Sequence, residues 1–367
     1  MSQLRGFNLE FVADYGLFLA KSITVVIAIV VVVITVVVSG ARSRKSTKGH
    51  IEVKKVNEAI HAMEHILVDA VLDHDQKKEL VKTEKQKAKD EQKQKKKQRK
   101  QSKNDVTTQA ANARLPRTYV LDFEGDVQAS AVANLRQEIT AVLTLAEEQD
   151  EVLVRLESPG GMVHGYGLAA SQLMRIIERK IALTVAVDKV AASGGYLMAC
   201  IANKIIAAPF AILGSIGVIA QIPNFHRLLK KNEIDVDVIT AGEYKRTLTV
   251  FGENTEKGRQ KFTEELENVH SLFKKFVSDN RPVVNIGDVS TGEAWYGTDA
   301  LERKLVDELK TSDNYVSEQC KERDVFQVAY VEDKSKVDKL LERISLTVSR
   351  SLEKSLLEML QNRNLFK

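Results

Sequence analysis

Hydrophobic and polar positions divide the chain into stretches of different period. Residues 22–40 are uncharged and almost wholly apolar. About nineteen helical residues cross a hydrocarbon layer of roughly 30 Å, so the pattern predicts a transmembrane anchor behind a flank at 1–21. Ser39-Gly40-Ala41 also has the small-residue spacing of a secretory cleavage site. The long flank carrying Glu10 and Asp14, and the length of the apolar run, favour an uncleaved anchor.

From Ile51 to Asp75, apolar residues recur at helical spacing (Val56, Ile60, Met63, Ile66, Leu67, Val71), which predicts an amphipathic helix. Across 77–103 the chain is nearly all Lys, Glu, Gln and Asp, with no core-forming stripe. Such a stretch is a solvated helix or tether, so 41–115 reads as a helical and charged extension. Residues 116–331 then suffice for one sizeable α/β domain. Strand-like runs at 118–123, 151–156, 181–187, 204–207 and 235–239 alternate with helical stretches at 129–147, 165–179, 194–202 and 255–279. That alternation predicts a largely parallel sheet with covering helices. Beyond it, 332–367 carries Val337, Leu340, Leu341, Ile344, Val348, Leu352, Leu356 and Leu360 at three- and four-residue intervals. An amphipathic C-terminal helix is expected there, with subunit contact favoured over packing on its own domain or lying on a membrane.

Charge refines this picture. The net charge is only +4, and the lysines of 77–103 are interspersed with acids and lack aromatic neighbours. A spacer is therefore expected, and no nucleic-acid partner. Arg42, Arg44, Lys45 and Lys48 come after the apolar run while only Lys21 and Arg5 precede it, so the positive-inside rule places the C-terminal bulk of the chain in the cytoplasm. Cys200 and Cys320 form no metal-spaced cluster, and no metal or cofactor is expected.

The chemistry concentrates at glycine turns that come directly after strands. Ser193, in Val-Ala-Ala-Ser-Gly-Gly-Tyr (190–196), joins a strand to a helix. At such a junction its hydroxyl either caps the helix or projects as a nucleophile. A second turn, Glu157-Ser158-Pro159-Gly160-Gly161, is a β-turn or a source of backbone donors for an oxyanion. Lys245, in Gly-Glu-Tyr-Lys-Arg, is a surface lysine or a base. A lysine base must be neutral near pH 7, about three units below the free value of ~10.4, which requires burial or a positive neighbour. Ser215 is the one hydroxyl of the apolar strand expected over 211–219, and bonds either a lysine amine or a main-chain carbonyl. A histidine base would have to come from His164, His226 or His270, of which His164 lies just past the glycine turn.

Taken together, Ser-Pro-Gly-Gly (158–161), Ala-Ser-Gly-Gly-Tyr (192–196), Gly-Ser-Ile-Gly-Val (214–218) and Gly-Glu-Tyr-Lys (242–245) resemble, in order and spacing, the signal peptide peptidase family of serine peptidases. The resemblance covers about 115–320, and the extension before it looks like that of the family's single-domain, inner-membrane branch. It implies a crotonase-like (ClpP-like) spiral of ββα units, a homo-oligomeric ring and a Ser/Lys dyad. Position by position, Ser193 becomes the nucleophile, Lys245 the general base and Ser215 the hydroxyl that orients it. Gly160 and Gly161 become the oxyanion turn, supported by Gly194. The expected function is a membrane-anchored endopeptidase of the cell inner membrane, cleaving peptides or membrane-protein fragments such as signal peptides. Family members are associated with the periplasmic face, opposite to the charge rule, so the side of the membrane stays open. The competing readings are a non-catalytic membrane scaffold or chaperone on a protease-like fold and, less well supported, acyl-CoA chemistry.

Overall fold

The computed structural model describes residues 49–79 and 114–333, together with positions 17, 18, 21, 22, 24, 25 and 82. The chain forms two compact units, one of residues 1–50 with 332–367 and one of residues 51–331. In the first, positions 17, 18, 21, 22, 24 and 25 are helical. The rest of the expected anchor at 22–40 lies outside the described residues, as do most of the tether and the C-terminal helix expected from 334. Among the described residues no helix is long and apolar enough to cross a membrane.

The second unit holds the folded body. Its strands are β1 (Gly49–Lys55, entered from the first unit), β2 (Arg117–Glu124), β3 (Glu151–Glu157), β4 (Ala182–Val187), β5 (Val190–Ala192), β6 (Lys204–Ala207), β7 (Ile212–Gly214), β8 (Ala294–Tyr296), β9 (Glu308–Leu309) and β10 (Asp324–Glu332). The helices are α1 (Val56–Val71), α2 (Val132–Leu143), α3 (Val163–Glu178), α4 (Gly194–Ala199), α5 (His226–Lys231), α6 (Glu256–Asn280), α7 (Ile286–Val289), α8 (Gly297–Glu302) and α9 (Ser312–Glu322). A large sheet runs β1-β10-β2-β3-β4-β6-β9, and a small one runs β5-β7-β8. The pairs from β10 through β2, β3, β4 and β6 to β9 are parallel. β7 and β8 pair antiparallel.

A parallel sheet buries both faces, so its central strands are continuously apolar. In β3, Val152, Leu153 and Val154 are fully buried. Because side chains alternate across a strand, Val152, Val154 and Leu156 face the core shared with α2 and α3. Leu153 joins Val120, Ala186 and Ile206 on the other face, with Tyr315 and Val316 of α9.

Three local expectations differ from the structure. The helical pattern from Ile51 begins only at Val56, because 49–55 forms the edge strand β1. Asn57 explains the switch: its amide donates to the carbonyls of Cys320 and Arg323 and accepts from the Val325 N–H, tying the start of α1 to the entry of β10. The expected strand at 235–239 is irregular chain, and Ile234, Val236, Val238 and Ile239 are all exposed. With no sheet edge to pair with, its alternating apolar pattern finds no ladder. The strand expected over 211–219 shrinks to 212–214, because Ser215 takes φ 52° and leaves the extended conformation.

One ion pair fixes the entry to β3. The Asp150 carboxylate accepts both arms of the Arg114 guanidinium at 2.7 Å and the N–H groups of Arg117 and Glu147 at 2.8 and 2.9 Å. Burial alone would push this carboxyl up, but the Arg114 pairing and the amides outweigh it and hold it below the ordinary aspartate range. A carboxyl lowered by folding contributes stability above its unfolded value, about 3.9, and loses it as pH falls through the folded value. Asp150→Asn should therefore cost about 3 kcal/mol in urea unfolding at pH 7. The gap from wild type should close as the measurement is repeated below about pH 4; a gap that stays constant with pH would refute this account.

Candidate active site

Two strand ends meet at one rim because a short backbone ladder continues the small sheet. Ser158 N–H donates to Val190 O at 2.8 Å and Ala192 N–H donates to Ser158 O at 3.0 Å. On its other side β5 pairs parallel with β7, Ala192 opposite Gly214, and Ser193 N–H donates to Gly214 O at 2.8 Å. In a parallel arrangement, strands that end in register deliver their succeeding turns to the same edge. The Pro159-Gly160-Gly161 turn, Ser193 and Ser215 are therefore neighbours across the rim, although 158 and 215 are far apart in sequence.

Ser193 sits between β5 and α4 with φ 51° and ψ −117°, a conformation an L-residue adopts only under constraint. Its hydroxyl makes no capping bond to the helix, so the capping role is absent. The side chain instead lines a cavity of about 220 Å³ with Gly161, Val163, Gly167, Leu197, Val218 and, from α6, Val269, Leu272, Phe273 and Phe276. The cleft wall is almost wholly apolar.

Gly160 and Gly194 let the turn and the elbow touch. Gly160 has φ +89°, and a Cβ there would lie 2.8 Å from Ala192 O, Gly194 N and Ser193 Cβ. A Cβ on Gly194 would meet the Tyr166 ring at 2.4 Å. The Gly160 N–H is committed, donating to Ser158 Oγ at 3.1 Å. Gly161, which lines the cavity, keeps its amide free of partners among the described residues.

Lys245 is placed differently. It is exposed, on an irregular arm closed at its base by Phe225 N–H donating to Val250 O and by Asn224 bonding the carbonyls of Thr249 and Gly252. Among the described residues its amine bonds neither Ser193 nor Ser215. Ser215 is half-buried, its N–H donating to Glu293 O at 2.6 Å. Among the described residues no hydrogen bond joins a histidine to Ser193: His164 is exposed, and His270 on α6 bonds Ile216 O at 3.2 Å. Cys200 is buried behind the elbow, where burial pushes its thiol up to about 12, so it is a neutral packing group.

Tyr166, Gly125 and the apolar face of α6 belong to the site without being marked in the sequence. Tyr166 lies in Gly165-Tyr166-Gly167 within a helix, where only its fit to Gly194 marks it out. The α6 residues that line the cavity carry an ordinary amphipathic pattern that does not say what it faces.

The site joins a strained serine between strand and helix, a glycine turn against it and an apolar cleft, which is the arrangement of an acyl-transfer hydrolase. Sequence comparison gives the particular family. Residues 10–173 match the model of peptidase family S49 N-terminal, and residues 175–325 match that of peptidase family S49. The chain belongs to peptidase family S49, the signal peptide peptidase group to which its motifs pointed, and it is a protease. "Probable protease SohB" of Haemophilus influenzae is 51% identical over 330 residues, 90% of this chain and 92% of that protein. "Probable protease SohB" of Buchnera aphidicola subsp. Schlechtendalia chinensis is 47% identical over 308 residues, 84% of this chain and 99% of that protein. A membrane-bound stomatin-specific protease of known structure aligns at TM-score 0.38 and 15% identity, covering 56% of this chain and 85% of its own.

Gly194→Ala should lower peptide hydrolysis at least tenfold, because the elbow must shift off the Tyr166 ring; unchanged turnover would contradict the close approach. Iodoacetamide should leave Cys200 unmodified in the native protein and alkylate it after denaturation, as read by peptide mapping.

Proposed function

We propose that the chain is a serine endopeptidase with a Ser193/Lys245 dyad, working on a crotonase-like (ClpP-like) arrangement of its two sheets. The observation that carries this reading is Ser193 itself: a positive-φ serine whose hydroxyl caps nothing and faces an apolar cleft. Lys245 Nζ takes the proton as Ser193 Oγ attacks the peptide carbonyl. The carbonyl oxygen, now negative, is held by the amides of Gly161 and Gly194, and Gly160 shapes the turn since its own amide is bound to Ser158. Lys245 returns the proton to the leaving amine, the acyl group stays on Ser193, and a water deprotonated by Lys245 releases it. Ser215, one strand away from Ser193, orients the lysine amine.

In this reading the exposed arm that carries Lys245 is covered in the active form. The arm and its approaches expose Ile219, Leu228, Ile234, Ile239 and Phe251, with Ile219 and Ile239 89% and 93% exposed. Exposed apolar side chains concentrated on one arm suit a neighbouring copy of the chain, which would bury the arm and bring the base to a serine. The active form is therefore a homo-oligomer, anchored in the inner membrane through 22–40. Its substrates are peptides or membrane-protein fragments with an apolar side chain for the cleft.

A fluorophosphonate probe should label Ser193 in the wild type and label nothing in Ser193→Ala. Lys245→Ala should fold and lose labelling and hydrolysis by at least a hundredfold; full activity would overturn the base assignment. A scaffold role would instead appear as Ser193→Ala complementing a deletion strain as well as wild type. Ile239→Glu on the arm should reduce oligomer size in light scattering and reduce hydrolysis with it; an inactive variant of unchanged size would argue against assembly as the source of the base.

A further inference from the structure

Beneath the glycine turn lies a buried polar chain that the proposed chemistry does not use. Ser158 and Tyr166 are both fully buried, and their oxygens are 2.6 Å apart. Tyr166 also bonds Asp126 O at 2.8 Å, and a carbonyl can only accept, so the single phenolic proton is committed there. The Ser158 hydroxyl must then donate to Tyr166 Oη, which leaves Ser158 Oγ to accept from the Gly160 N–H. The order runs Gly160 N–H to Ser158, Ser158 to Tyr166, Tyr166 to Asp126 O. Each bond polarises the next in an enclosed, low-dielectric setting.

Packing shows that this chain is tightly enclosed. A Cβ on Gly125 would lie 2.4 Å from both Ser158 Oγ and Tyr166 Oη. The loop that supplies Asp126 O also accepts the Met162 N–H at Val127 O, 2.8 Å, just past the turn. Tyr166 thus touches both halves of the site, its hydroxyl holding the glycine turn through Ser158 and its ring lying against Gly194, next to the nucleophile.

We propose that Tyr166 and Ser158 are positioning residues that set the Gly161 amide and the Ser193 elbow at the spacing an oxyanion requires. This rests on the serine-peptidase reading above. It assigns the turn a function that its glycines alone lack: they permit the conformation, while the buried hydroxyl pair selects it. Losing an oxyanion donor outright costs about 10²- to 10³-fold in turnover, and a misplaced donor should cost less.

Tyr166→Phe keeps the ring and deletes the hydroxyl, and Ser158→Ala deletes the other member. Each should lower kcat on an apolar peptide about ten- to a hundredfold with KM within about twofold, and the double variant should fall no further than the worse single. A peptide aldehyde, which places its hemiacetal oxygen on the same amides, should weaken in parallel, while the matching peptide alcohol should bind as to wild type. If aldehyde, alcohol and KM all shift together, the pair merely supports the fold and the role is overturned. Wild-type kcat in Tyr166→Phe, beside an inactive Ser193→Ala, overturns it while sparing the serine nucleophile. Wild-type activity in Ser193→Ala removes the peptidase reading and this role with it. Should Tyr166→Phe not fold, Ser158→Ala and Gly125→Ala, which crowds the same two oxygens, carry the same measurements.

Discussion

The site depends on the backbone ladder that joins the Ser158 segment to β5 and β5 to β7. Three hydrogen bonds, Ser158 N–H to Val190 O, Ala192 N–H to Ser158 O and Ser193 N–H to Gly214 O, set the relative position of three turns drawn from distant parts of the chain. No side chain carries this constraint, so substitutions leave it largely intact. What the side chains decide is how closely the turns approach once the ladder has aligned them. Slipping the ladder by one residue would move Ser193 to the other face and bury its hydroxyl.

Strain at Ser193 is offset by that same ladder. A non-glycine residue at positive φ costs of order 1–3 kcal/mol. The conformation persists because β5 is held on both sides, and because Tyr196 fixes α4 from below, its hydroxyl bonding Leu305 O at 3.1 Å. A helix N-terminus ordinarily draws a serine hydroxyl into a cap. Here no cap forms and Ser193 lines the cleft instead, which on the proposed reading leaves its hydroxyl available for reaction at the expense of local stability.

Much of this could be read from the chain, but unevenly. Strands β2, β3, β4 and β6 stood out because burial on both faces demands unbroken runs of Val, Ile and Leu, and the helices between them carried the 3.6-residue period. Gly160, Gly161 and Gly194 were marked by glycine pairs directly after strands. The apolar residues at 235–239 misled, since their alternation has no strand to pair with and their side chains lie in solvent. β1 was hidden by the helical period that starts inside it. Tyr166 could not be found from pattern at all: a buried tyrosine in an amphipathic helix looks like core, and its significance lies in a contact with Gly194 and a bond to Ser158 that only three-dimensional packing creates.

The arm that carries Lys245 is energetically incomplete in a single chain. Burying an aliphatic side chain stabilises by about 1.5–3 kcal/mol, and this arm leaves several in water. The stacked rings of Phe225 and Phe251, 6.3 Å apart, and the Asn224 bonds close its base, but its outer apolar side chains have no core beneath them. Lys257 and Lys261 of α6 lie over the Tyr244 ring at 5.9 and 5.3 Å, each paired with a carboxylate, Glu243 at 2.6 Å and Glu264 at 3.0 Å, so these cations are already compensated. Covering the arm would remove apolar surface from water and, in the same step, strip solvent from Lys245. Lost solvent disfavours a charged amine in general. On the proposed reading, then, the event that supplies the free energy of association also encloses the base, so that a peptidase of this design would acquire its activity on assembling.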